Sequence, residues 1–168
     1  ATLNMSAYQG AEAFKRIIKI IDKDIQIKEF ENNPELILKN SDIEFKKVEF
    51  KYDTTNEQAI KNISISIKGN TMAAFVGHSG AGKSTIINLL PRFYDPQLGS
   101  IEIDGQDIKN VSLSSLRRNL SLVSQDVILF DDSVRNNIAY AKPGASNQDI
   151  EEACKFAASN EFINRLPK

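Results

Sequence analysis

Apolar residues recur along the chain with two different periods. Over residues 6–23, Ala7, Ala11, Phe14, Ile18 and Ile21 return at steps of three and four, which predicts an amphipathic helix. Residues 24–41 are mixed, polar and interrupted by Pro34, and read as a linker. Period two then takes over. Ile43-Glu44-Phe45 alternates, the phase slips, and Val48-Glu49-Phe50-Lys51-Tyr52 resumes, so a bulge or two short strand pieces are expected. After a turn at 53–57, Ile63, Ile65 and Ile67 alternate with polar residues as in a half-buried strand. Met72-Ala73-Ala74-Phe75-Val76 is apolar throughout, which predicts a buried strand. Thr85-Ile86-Ile87-Asn88-Leu89-Leu90 reads as a helix stopped by Pro91.

The second half is read the same way. A turn at 95–99 leads to the strand Ile101-Glu102-Ile103 and the tight turn Asp104-Gly105. Ser112 is suited to cap a short helix through Arg118, and Leu120-Ser121-Leu122-Val123 reads as a further strand. Ser133 and Ser146 are expected N-caps, the latter with Asp149 three residues on as a weak capping box. Phe162, Ile163 and Leu166 form a last helical face before Pro167. Alternating strands upstream of an all-apolar one predict an α/β fold, with a partly antiparallel layer beside a buried parallel layer.

Bulk properties narrow the picture a little. The 168 residues suffice for one domain with a core. A net charge of −1 gives no broad pull toward nucleic acid or anionic lipid, and no nucleic-acid partner is expected. The single cysteine, Cys154, permits no internal disulfide and sits in a helical stretch with Ile150, Ala153 and Ala157, so it reads as a small core residue. No apolar run approaches the ~20 residues of a membrane span, and nothing reads as a signal peptide. The start at Ala1 suggests a cut-down chain.

Chemistry concentrates at Gly77-His78-Ser79-Gly80-Ala81-Gly82-Lys83-Ser84-Thr85. This fits G-x-x-x-x-G-K-[ST], the phosphate-cradling P-loop. Glycines let the backbone close around an anion, because a Cβ would block both the approach and a positive φ. Successive N–H groups then converge on phosphate at a helix N-terminus. Lys83 would reach the β- and γ-phosphates as a point charge, the Ser84 hydroxyl would ligate Mg²⁺, and Thr85 would support the phosphate end through its N–H or hydroxyl. Apolar strand, glycine-rich loop and helix follow one another in the order this motif needs.

Several further stretches, taken with the P-loop, resemble the nucleotide-binding domain of an ATP-binding-cassette (ABC) transporter, of the exporter type with fused membrane segments. Val48-Glu49-Phe50-Lys51-Tyr52 resembles the aromatic loop that stacks on adenine, and assigns that role to Tyr52. Arg92-Phe93-Tyr94-Asp95-Pro96 with Gly99-Ser100-Ile101-Glu102-Ile103-Asp104-Gly105 matches the segment after the P-loop helix. Leu122-Val123-Ser124-Gln125-Asp126 resembles the Q-loop. The run from Leu129 through Ser133-Val134-Arg135 to Ile138 resembles the start of the helical subdomain. The resemblance implies a P-loop NTPase core with an upstream antiparallel layer, C-terminally incomplete. Residues 1–41 would be a helix and linker from the membrane domain, and 42–168 a partial nucleotide-binding domain.

It also implies roles. ATP and Mg²⁺ would be bound by Tyr52, residues 77–85 including His78, Ser79 and Ala81, and Gln125. Ser84 and Gln125 would be the metal ligands, and Lys83 and Gln125 the groups acting in hydrolysis. Partners would be a second nucleotide-binding domain and the transmembrane domain, at the cytoplasmic face of a membrane, with the bacterial inner membrane expected. His78, the only histidine, occupies a variable loop position and is not expected to be a base. Val127-Ile128-Leu129-Phe130-Asp131 imitates a strand ending in a Mg²⁺-supporting acid. It follows the Q-loop directly, so Asp131 and Asp132 are expected to cap or to face solvent.

The alternatives are a P-loop kinase or GTPase and a soluble cassette ATPase that does not transport. No N-K-x-D guanine reader occurs, and 76 residues precede Gly77 where a small kinase starts near its loop. No L-S-G-G-Q stretch, Asp-Glu strand end or downstream switch histidine is present either. The chain alone is therefore expected to bind nucleotide weakly and to show no significant turnover.

Overall fold

A computed structural model describes residues 2–22, 26–30, 32–125 and 127–166, with no account of the side chains of 2–9 and 13. The elements are α1 (Thr2–Ile21), β1 (Ile43–Phe50), β2 (Ile60–Ile67), α2 (Lys83–Leu89), β3 (Leu98–Ile103), β4 (Gln106–Asp107), α3 (Leu113–Arg118), α4 (Val134–Ala139), α5 (Asn147–Phe156) and α6 (Asn160–Ile163). They fall into two compact units, residues 1–121 and 122–168.

In the first unit the four strands form one antiparallel sheet in the order β2-β1-β3-β4. The phase slip is a bulge. Between Phe45 and Val48, β1 spends three steps where β2 spends two, from Ile65 to Ile63, and β3 shows a matching shift opposite Lys46 and Glu49. The extra residue returns both apolar pairs of β1, Ile43/Phe45 and Val48/Phe50, to the same side of the sheet. The kink closes on Gly99, at φ +80°, where an added Cβ would collide with the carbonyl oxygens of Lys46 and Lys47. Beneath the sheet, Phe45, Val48, Phe50, Ile60, Ile101 and Ile103 pack with Ile86 and Leu89 of α2 and Leu116 of α3.

Polar side chains tie the edges. Asp104 (φ 50°) and Gly105 (φ 75°) make the two-residue turn between β3 and β4. The Asp104 carboxylate accepts from the backbone N–H groups of Lys39, Asn40, Ser41 and Asp42 at 2.7–3.1 Å. These bonds hold its pKa down to about 2. The linker stretch is thus fastened along the sheet although residues 26–30 and 32–41 form no helix or strand. Leu36 is buried and its N–H donates to the Ser115 hydroxyl.

The expected helix at 6–23 is α1, with Phe14, Ile18 and Ile21 exposed. Ala7's side chain, Lys23, Asp126 and Pro167 lie outside what is described. Ser112, Ser133 and Ser146 each cap the following helix, and Ser146 with Asp149 forms the capping box. Cys154 is buried in α5.

Two expected strands are corrected. Residues 72–76 and 120–123 form no ladder among the described residues. Met72 and Val76 are 99% and 94% exposed, and Val123 is exposed as well. A parallel strand is buried by neighbours on its edges and faces, and no described segment pairs with these, so the antiparallel layer forms and the parallel one does not. Two boundaries also move: β3 begins at Leu98 inside the expected turn, and α6 ends at Ile163 with Phe162 and Leu166 exposed.

Candidate functional site

The glycine-rich loop joins the run 72–76, in which Phe75 alone packs partly against the core, to α2. Gly80 and Gly82 take φ +79° and +84°, the left-handed region that glycine enters freely. At Gly82 the constraint is also steric, because a Cβ there would lie 2.6 Å from the Ala59 carbonyl oxygen. The loop thus rests against the start of β2 and turns into α2, whose first helical bond runs from the Ile86 N–H to the Gly82 carbonyl. By helix geometry the N–H groups of Lys83, Ser84 and Thr85 have no carbonyl one turn back. The Lys83 ammonium folds back over the loop and donates to the carbonyl oxygens of Gly77 and His78, both at 2.8 Å. Ser84 is exposed on the first turn, and Thr85 is buried. His78 is exposed and its Nδ1 lies 2.8 Å from the Ser79 carbonyl oxygen.

Tyr52 reaches this loop from two residues past the end of β1. Its hydroxyl lies 3.1 Å from Thr85 Oγ1 and donates to it. The ring stands edge-on to Phe50 (4.8 Å, 84°) and to Tyr94 (5.1 Å, 88°). The first unit therefore brings together Tyr52 and residues 77–85. Gln125 belongs to the second unit, exposed in a stretch without helix or strand. In that unit residues 127–130 are exposed and form no strand. Asp132 accepts from the Ser133 N–H and the Asn136 amide, and these bonds lower its pKa.

Some residues around the site carried no role in the sequence reading. Arg92, just past α2, is 2% exposed and lies at φ 51°. Its guanidinium grips both carboxylate oxygens of Asp95 at 2.9 and 3.0 Å and reaches the carbonyls of Lys28, Ile108 and Lys109. Gln97 pairs its side-chain amide with the backbone of Lys51. The Arg-x-x-Asp spacing before Pro96 is the signal that could have revealed the first. Nothing local marks the second, whose partner is 46 residues away.

Comparison with known proteins gives a consistent result. The ABC transporter family model matches residues 60–168. The ATP-dependent lipid A-core flippase of Syntrophus aciditrophicus (strain SB) is 43% identical over 99% of this chain and 27% of its own length. An ATM1-type heavy metal exporter of Novosphingobium aromaticivorans is 42% identical over 95% of this chain and 26% of its own. A solved bacterial Atm1-family ABC exporter with ATP bound superposes with a TM-score of 0.84 at 42% identity, over 95% of this chain and 28% of that one. The chain thus spans about a quarter of the length of these relatives.

Proposed function

Because the chain belongs to the ABC transporter family, we propose that it is the ATP-binding part of an exporter, coupling ATP binding and hydrolysis to movement of a substrate across a membrane. The observation that carries this is the position of the Lys83 ammonium, turned onto the carbonyls of Gly77 and His78 in the mouth of the loop. A cation held there by neutral carbonyls is readily transferred to an anion with stronger acceptors. On this reading the N–H groups of residues 79–85 surround the triphosphate, Lys83 neutralises its outer charge, and Tyr52 presents a ring to the adenine. The names of the relatives, flippase and heavy metal exporter, support transport as the outcome.

The donor set also fits a magnesium ion. Ser84 offers an exposed hydroxyl beside Lys83, and Mg²⁺ is commonly held by few protein oxygens together with phosphate and water. Ser84 would hold the ion, which when bound offsets phosphate charge. Gln125 would orient the attacking water.

Phosphoryl transfer is mostly positioning and charge stabilisation, and this chain supplies part of both. The catalytic Glu and switch His of the family's complete domain would supply more, a second nucleotide-binding domain would close on the first with its signature loop facing the phosphates, and the membrane domain, joined through residues 1–41, would follow that closure. The site would then work at the cytoplasmic face of a membrane, the inner membrane of a bacterium. Among the described residues no helix is long and apolar enough to cross a membrane. The exposed residues Met72, Val76, Val123 and 127–130 would receive further strands of the complete protein.

ATP hydrolysis by the reconstituted full-length protein tests this. Lys83→Ala is expected to lower the rate at least about 100-fold; an unchanged rate would contradict the proposal.

A further inference from the structure

Tyr52 lies beyond the last ladder bond of β1, so strand pairing does not fix its ring. The loop between α2 and β3 does so, together with the Phe50 ring and the Thr85 hydroxyl that Tyr52 also meets. Gln97 accepts from the Lys51 N–H at 2.8 Å and donates to the Lys51 carbonyl at 2.9 Å, while its own N–H donates to the Glu49 carbonyl at 3.0 Å. The backbone just before Tyr52 is thereby held on both its polar groups. Tyr94, three residues before Gln97, meets the Tyr52 ring edge-on at 5.1 Å and the Phe50 ring at 5.4 Å. Both Tyr94 and Gln97 are substantially exposed, so neither is a core-filling residue. The loop that carries them is stiffened by the buried Arg92 and its two bonds to Asp95.

We propose that Tyr94 and Gln97 are positioning residues for the base end of the nucleotide site, acting through Tyr52. The proposal rests on the reading of Tyr52 as the surface on which the base stacks. A stacked base needs a ring whose plane is set before binding, because ordering it afterwards subtracts from affinity. Gln97 sets the backbone from which the ring projects, and Tyr94 sets the plane. Among the described residues neither bonds to or stacks on the phosphate loop, and each reaches it only through the Tyr52 hydroxyl on Thr85. Their main effect is therefore on the base.

The test is equilibrium binding of ATP and of inorganic tripolyphosphate to the full-length protein, in Tyr94→Leu, Gln97→Ala, Tyr52→Leu and the two double variants. Tyr94→Leu and Gln97→Ala are each expected to weaken ATP about three- to tenfold and to leave tripolyphosphate unchanged. Tyr94→Phe, which keeps the ring, should bind ATP as the parent does. In the Tyr52→Leu background neither change should weaken ATP further. Equal losses for both probes, or losses that add fully to that of Tyr52→Leu, would overturn the proposal. If Tyr52→Leu alone leaves ATP affinity unchanged, the stacking role of Tyr52 fails and the proposal with it, whereas the Lys83 reading stands on its own test.

Discussion

Strand β1 is half apolar and the run 72–76 wholly so, yet it is β1 that is buried. In β1, Phe45, Val48 and Phe50 are buried beneath a sheet that pairs on both edges. In 72–76, Val76 is 94% exposed, only Phe75 packs partly against the core, and no strand among the described residues pairs alongside. Hydrophobic pattern states what a segment can bury, and neighbours decide whether it does. The antiparallel layer carries its neighbours within residues 43–107, through a hairpin, a bulge and a tight turn. The phosphate loop is hung between that layer and a run that pairs with no strand among the described residues. Its conformation is taken from the layer's side, through Gly82 on Ala59 and Tyr52 on Thr85.

The contrast can be broken at several points. The largest effect is expected at Arg92, the buried hub joining linker, loop and β4–α3 connection. Arg92→Met leaves Asp95 and three carbonyls without their donor and should cost about 3 kcal/mol in denaturant unfolding. Val48→Ala should cost about 2 kcal/mol through lost burial and a residual cavity. In the same 168-residue chain Val76→Ala should stay within about 0.5 kcal/mol. Equal costs at positions 48 and 76 would mean that 72–76 is covered after all.

A smaller effect concerns acid. The four N–H bonds that lower the Asp104 pKa to about 2 stabilise the folded chain only while the carboxylate is charged. That contribution is complete above the ordinary carboxylate range near pH 4 and is lost as pH falls through about 2. Asp104→Asn should therefore flatten part of the fall in thermal midpoint between those values. An unaltered slope would show that residues 39–42 are held by other contacts.

The sequence was most legible where signals are local. The bulge followed from one slipped phase at Val48, and three serine caps from their place before helical runs. The phosphate loop was legible because its glycines answer a backbone requirement within six residues. The contacts that hold Tyr52 were not, since Gln97 and Lys51 are far apart in sequence and an amide has no preferred partner. The burial expected for 72–76 failed because apolar composition alone names no neighbour.

The central claim is that the amides of residues 77–85 and the Lys83 ammonium grip the triphosphate of ATP. Calorimetric titration of the full-length protein with ATP, beside its Lys83→Ala variant, tests it most directly. The account predicts binding by the parent and a loss of affinity of at least about 100-fold in the variant. Equal affinities would contradict it.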